Sequence, residues 1–256
     1  MATEGAQPTA GAGVGPVVEY RDLHKAFGDN RVLCGLDLRV ERGQTVVILG
    51  SSGSGKSVLL SMLVGLLTPD RGQVLVEGVD VTAFRTDDEW RPVWLNTGFL
   101  FQGAALFDSM NVGENLAFPL EHHTELGDEQ IRARVAEVLS WIELEGIEDK
   151  MPSELSGGMQ KRVALARTIV LEPRIVVYDE PTTGLDPLTS DTISELIRRL
   201  QAERGITSIV VTHDVRCTFH VADRVALIDQ GKVLVEGSLE EIKQSPVPKL
   251  QSFLYG

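Results

Sequence analysis

Three short, unbroken apolar runs punctuate the chain: Thr45-Val46-Val47-Ile48-Leu49, Ile175-Val176-Val177-Tyr178 and Ser208 to Val211. Runs of this length, rich in β-branched residues, predict strands buried on both faces, as in a parallel sheet. Helical spacing lies between them. Val58 to Leu67 is one such stretch; Ile131, Val135, Val138, Leu139 and Ile142 share one helical face behind the start signal Gly127-Asp128-Glu129; Thr189 to Glu203 is a third, and a short helix follows His213. Strands alternating with helices predict an α/β fold with a parallel-sheet core. Upstream the pattern differs. Val17 to Tyr20 and Arg31 to Val40 alternate like half-buried strands, with turns at Gly28-Asp29-Asn30 and Glu41-Arg42-Gly43, so an antiparallel β-subdomain precedes the core. A strand pair is expected near Val74–Val76 and Val79–Val81, and a short strand, Gly98 to Phe101, ends at Gln102. Strand signal is lost between Asn111 and Pro152, which predicts a helical insertion, with its subdomain set at about 103–155. A hairpin near Asp229-Gln230-Gly231-Lys232 closes the pattern. No internal repeat is present, so one nucleotide-binding unit is expected.

Composition narrows the class. The 256 residues suffice for a sizeable core, at 43% hydrophobic and 24% charged. A net charge of −13 opposes binding to nucleic acid or to anionic lipid, so any phosphate ligand needs a local positive site. Cys34 and Cys217 lie far apart with no His or Cys partner at metal-ligand spacing and read as reduced, structural thiols, as suits the cytosol. Residues 1–16 are rich in Gly, Ala and Thr, without basic or apolar regions of a signal peptide, and read as a disordered tail. No apolar run approaches the about 20 residues of a membrane span.

Gly50-Ser51-Ser52-Gly53-Ser54-Gly55-Lys56-Ser57 fits G-x-x-x-x-G-K-[ST], between a strand and a helix that opens with Val58. Glycines at 50, 53 and 55 let the backbone take positive-φ turns and lay N–H groups against phosphate oxygens, helped by the helix dipole. Lys56 reaches the β- and γ-phosphates, and the Ser57 hydroxyl suits Mg²⁺. Asp179 and Glu180 end the second apolar run. There Asp179 is placed to hold the metal and Glu180 to polarise an attacking water. Ser156-Gly157-Gly158, before the helical Gln160 to Arg167, forms a second anion site from bare amides, a hydroxyl and a dipole. A simple cap explains Ser156 but not two consecutive glycines.

Leu155-Ser156-Gly157-Gly158-Met159, in order with Gly50–Ser57 and Asp179-Glu180, resembles the signature, Walker A and Walker B motifs of ATP-binding-cassette (ABC) ATPases, and the resemblance runs from about Val17 to the C-terminus. It implies a P-loop NTPase of ABC type, with the ATPase domain over 17–245 and a tail over 246–256. It implies that Phe27, at a position often Tyr, stacks on adenine. Gln102 contacts Mg²⁺ and the water, Asp186 in Gly184-Leu185-Asp186-Pro187 is the D-loop acid, and His213 touches the γ-phosphate. Two copies then pair head to tail as a homodimer, each P-loop facing the other's Ser156–Gly158 with ATP between.

The interval from Ser57 to Leu155 is too short, and too free of heptads, for the coiled coil of DNA-repair ABC ATPases, and one motif set argues against two-cassette translation factors. Among transporters, Phe101 to Leu120, Met159, Pro181 to Pro187 and Gln251 to Gly256 are similar to the MCE-associated lipid transporters of the maintenance-of-lipid-asymmetry type. That implies a phospholipid transporter ATPase on the cytoplasmic face of the inner membrane. Its partners would be a multi-spanning permease, an MCE-domain protein and a STAS-type regulator. An ATPase of an amino-acid or other small-solute importer is the alternative.

Overall fold

The computed structural model describes residues 15–255. Its first part runs β1 (Val18–Phe27), β2 (Asn30–Val40), β3 (Thr45–Leu49), α1 (Lys56–Leu63), β4 (Arg71–Val76), β5 (Val79–Asp80), α2 (Asp87–Asn96) and β6 (Thr97–Leu100). The middle holds α3 (Val112–His123), α4 (Asp128–Trp141), a 3-10 turn at Pro152–Glu154, and α5 (Gly157–Ile169). The last part runs β7 (Ile175–Asp179), α6 (Pro187–Arg204), β8 (Thr207–Val211), α7 (Val215–Val221), β9 (Arg224–Asp229), β10 (Lys232–Ser238), α8 (Leu239–Gln244) and α9 (Pro248–Tyr255).

Two sheets form. Strands β2-β1-β4-β5 make an antiparallel sheet, and β10-β9-β3-β8-β7-β6 make a six-stranded sheet that is parallel throughout except for the β9–β10 hairpin. The three apolar runs are its centre: β3 lies between β9 and β8, and β8 between β3 and β7. Each strand feeds two cores through its period of two. Val47 and Leu49 face one side, with Val176, Tyr178, Val210 and the helices α3 to α7. Val46 and Ile48 face the other, with Ile175, Val177, Ile209, α1 and the antiparallel sheet. Burial on both faces is why these strands carry no alternation to read. One edge of this sheet collects the functional loops, because all the parallel strands end there: the loops after β3, β6, β7 and β8 meet.

Several elements differ from expectation. Helix α1 stops at Leu63 rather than Leu67, because Gly65 turns at φ +82°, and a Cβ there would fall 2.6 Å from the Trp90 ring. Helix α6 begins at Pro187, two residues early, because Asp186 is its N-cap and accepts from the N–H groups of Leu188 and Thr189. Helix α2 escapes the periodicity reading, since it is polar and carries Pro92; its signal is the capping box of Thr86 with Glu89. The expected tail over 246–256 is corrected. It contains α9, whose Leu250 and Leu254 are buried in the helical-side core. Of the expected tail over 1–16, residues 1–14 lie outside the described residues.

Candidate active site

An open cleft of about 710 Å³ lies over the carboxyl ends of the parallel strands, and Gly50 to Gly53, Gly55 to Val58, Gln102, Asp179, Glu180 and His213 line it together. Four sequence-distant loops thus supply one wall each. The loop after β3 is shaped by two different glycine requirements. Gly53 and Gly55 have φ of +78° and +105°, and Gly55 is the N-cap of α1. Gly50 is not in the positive-φ region, contrary to expectation; it is glycine because a Cβ there would lie 2.5 Å from Ser54 Oγ and 2.7 Å from the Ile228 carbonyl oxygen. Ser54 does not line the cleft: its hydroxyl is buried under the loop without a partner among the described residues, and its N–H donates to Ser51 O at 3.1 Å.

Lys56 donates to the carbonyls of Gly50 (2.7 Å) and Ser51 (3.1 Å), folding back over its own loop. Half-burial holds the ammonium pKa below its ordinary value, against the pull of Glu180 and Asp179. Asp179 shows the opposite shift. Burial raises its pKa, the neighbouring Glu180 carboxylate adds to that, and Lys56 and Lys161 oppose it. Asp179 is therefore a half-buried carboxylate flanked by a second acid, with two lysines opposing the shift.

Glu180 leaves β7 in left-handed backbone at φ +50°, a conformation that costs a side-chain-bearing residue and is kept at sites that need it. Its N–H donates to Val211 O at 2.8 Å. One carboxylate oxygen, Oε2, lies 2.9 Å from His213 Nδ1 and accepts from the hydroxyls of Thr183 (3.1 Å) and Thr212 (3.3 Å) and from the His213 N–H (3.4 Å). The acid is thus oriented through one oxygen, which leaves the other for a reacting proton. His213 stays exposed; the following Asp214 is structural, capping α7 and accepting from Thr182 Oγ1 at 2.9 Å.

The fit to Mg²⁺ is tested by the donor set. Ser57 hydroxyl, Asp179 carboxylate and Gln102 amide are hard oxygen ligands on one cleft, and the desolvated, acid-flanked Asp179 is a carboxylate that a divalent cation would relieve. No cluster of three His, Cys, Asp or Glu side chains placed to hold a metal exists among the described residues.

Besides Ser54, five predicted residues stand away from the cleft walls. Phe27 sits half-exposed at the end of β1, cross-strand from Asn30, which does line the cleft. Ser156 caps α5, accepting from the Met159 N–H at 3.3 Å, and Gly157 is open to solvent. Gly158 has a packing reason: its Cβ would fall 2.4 Å from Thr189 Cγ2. Asp186 accepts from Thr189 Oγ1 at 2.5 Å, and this hydroxyl, then the Thr189 N–H, hold its carboxyl below the usual range.

Asn30, Val32, Val211 and Phe253 line the cleft and were not anticipated; the last reaches it from α9. Lys161 was also missed. It is 5% exposed and donates to the carbonyls of Phe101 (3.4 Å) and Gln102. A signal existed, because Lys161 lies four residues before the buried Leu165 on the face α5 turns inward.

The profile of the family described as "ABC transporter" matches residues 33–183. The chain is 40% identical over 240 residues to the intermembrane phospholipid transport system ATP-binding protein MlaF of Haemophilus influenzae, covering 94% of this chain and 90% of that protein. It is 40% identical over 245 residues to the probable ribonucleotide transport ATP-binding protein mkl of Mycobacterium leprae, covering 95% and 70%. In three dimensions it matches the dimeric post-hydrolysis structure of the ATP-binding cassette MJ0796 bound to ADP and Pi, with a TM-score of 0.79 and 32% identity over 87% of this chain and 98% of that one. With a family profile over more than half its length and such relatives across nearly all of it, the chain belongs to the ABC transporter family and is one of its ATP-binding, ATP-hydrolysing subunits.

Proposed function

We propose that the chain works as a head-to-tail homodimer that couples ATP hydrolysis to phospholipid movement by a membrane permease. The observation that carries the dimer is the split of the phosphate-binding features. Gly50 to Gly53 and Gly55 to Ser57 line this chain's cleft with Asp179, Glu180, Gln102 and His213, whereas the open N-terminus of α5 at Ser156 and Gly157 is absent from it. A second copy would bring that terminus over the cleft, and the dimeric cassette MJ0796 gives a precedent.

In this reading Lys56 exchanges its bonds to Gly50 O and Ser51 O for phosphate oxygens, and Phe27 stacks on the base. Ser57, Asp179 and Gln102 would hold Mg²⁺, which would neutralise phosphate charge when bound. Glu180 accepts the proton of the attacking water, and His213, 2.9 Å from it, keeps the carboxylate turned and meets the γ-phosphate. Asp186 braces the loop between Glu180 and α6 through its cap.

The permease reading is supported by a groove of about 930 Å³ between α3 and α4. Its floor includes Ala117, Phe118 and Ile131, and its rim Glu114, Glu121 and Asp149, which suits an amphipathic permease segment with basic flanks. No helix among the described residues is long and apolar enough to cross a membrane. We place the chain on the cytoplasmic face of the inner membrane, with an MCE-domain protein and a STAS-type regulator as further partners. The phospholipid substrate rests on the likeness to the Haemophilus protein; the mycobacterial relative's name points to ribonucleotides instead. Purifying the tagged chain from its native membranes separates the readings. Co-purification of a permease with an MCE-domain protein is expected, and a periplasmic solute receptor in its place would overturn the lipid assignment.

A further inference from the structure

The segment that follows β6 carries Gln102 and has an unusual backbone. Ala104 and Ala105 are both left-handed, at φ +62° and +54°, although neither is glycine. Consecutive residues of this kind persist only where the surroundings hold them. The holders come from one helix. Lys161 of α5 donates to the main-chain carbonyls of Phe101 and Gln102, and Arg167, six residues further along α5, donates to Ala105 O at 2.7 Å. Two cations of a single helix therefore grip the loop on either side of Ala104.

Lys161 is the more telling of the two. It is 5% exposed, yet no carboxylate lies within ion-pair distance of it among the described residues. A buried ammonium is costly unless its protons are used, and here the loop carbonyls use them. Lys161 also begins less than two turns from Ser156, the cap of α5, so the helix that presents Ser156 and Gly157 outward is bolted at the same end to Gln102.

We propose that Lys161 is a positioning residue for ATP hydrolysis: through the Phe101 and Gln102 carbonyls it fixes where the Gln102 side chain stands in the cleft, so that Gln102 and the Ser156–Gly158 terminus move as one rigid unit. Any displacement of α5 is then carried directly to Gln102. The inference rests on the ATPase reading of the cleft, and goes beyond it in assigning a linkage within one chain.

The test uses the full chain with Lys161→Met, which keeps most of the stem and removes the donors. Hydrogen exchange on the nucleotide-free protein is measured first. Amides of residues 101–107 are expected to exchange at least about tenfold faster than in the parent, with β7 and β8 unchanged. In ATP hydrolysis, kcat is expected to fall about tenfold with KM for ATP within about twofold, because the Gly50–Ser57 loop is untouched. On a Gln102→Ala background the same substitution should change kcat by less than about twofold, since its route of action is gone. Lys161→Arg, which keeps charge and donors, should restore the exchange protection. Should Lys161→Met not yield folded protein, Lys161→Gln is read by the same exchange and cycle measurements. Unchanged exchange at 101–107, or an equal loss of kcat with and without Gln102, overturns the proposal. Absence of ATPase activity in the parent would count against the proposed function alone, because the exchange measurement needs no nucleotide.

Discussion

The cleft over the parallel strands and the N-terminus of α5 are both built to meet phosphate, and they are finished to different degrees. The cleft has a fixed loop with a folded-back lysine, two acids whose charges compete, and a histidine already in contact with one of them. The α5 terminus has a capping serine, an exposed glycine and the dipole of a 13-residue helix, and it lies outside the lining of the cleft. A helix terminus without a wall is a weak anion site by itself. Its geometry makes sense as the lid of a cleft on another molecule. In the proposed reading the cleft holds both the nucleotide and the base, and the α5 terminus of a second copy completes it for turnover, so variants should separate the two surfaces.

The largest effect is expected at Glu180. Glu180→Gln removes the base but keeps the hydrogen-bonding shape, so kcat should fall about 10²- to 10⁴-fold while ATP still binds; an unchanged rate would remove Glu180 from the mechanism. Next comes the pair that opposes the two surfaces. Lys56→Ala deletes a charge-assisted contact in the cleft and should weaken ATP binding to the isolated chain about 10- to 100-fold by equilibrium titration. Ser156→Arg blocks the α5 terminus and should leave that affinity within about twofold while abolishing nucleotide-dependent dimers in sedimentation. Equal losses of affinity in both variants would erase the distinction drawn here.

A smaller effect belongs to Phe27, which stands at the rim of the cleft. Phe27→Ala should weaken ATP binding about 3- to 10-fold, and Phe27→Tyr should keep it, the stacking of one ring being of that order. The smallest is the pH response of the α5–α6 side. The Asp186 pKa lies below its ordinary value of 3.8, since the Thr189 hydroxyl and N–H favour the carboxylate. Its contribution is therefore present above 3.8 and is lost as pH falls through the lower folded value. Asp186→Ala should lower the melting temperature by a constant amount above about pH 5, with the gap to the parent closing in more acidic buffer.

The two surfaces were also unequally legible. Gly50 to Ser57 announces itself because backbone needs select glycine at fixed spacing, and Asp179-Glu180 because it ends an apolar strand. Even there the reasons differed in detail, with Gly50 chosen by crowding from Ser54 and Ile228 rather than by a positive φ. Gly158 reads as a bare amide in sequence and has in addition a packing reason against Thr189, a residue more than thirty positions away. Asn30 and Phe253 were unreadable for the same reason, and Lys161 showed only that it shares the inward face of α5: their importance lies in what they face after folding, and local periodicity reports only which side of a helix or strand they share. Helix α9 went unseen because eight residues with two buried leucines give too short a period to stand out.

The central claim is that each complete site draws the P-loop from one chain and Ser156–Gly158 from another. Mixing two defective variants, Lys56→Ala and Ser156→Arg, tests it directly. Each should fail alone to form an ATP-dependent dimer or to hydrolyse ATP. Their mixture contains one intact pairing, the P-loop of the Ser156→Arg chain with the α5 terminus of the Lys56→Ala chain, and should regain ATP-dependent heterodimers with measurable turnover. A mixture as inert as its components, or a Ser156→Arg chain that hydrolyses ATP at the parent rate as a monomer, would contradict the account.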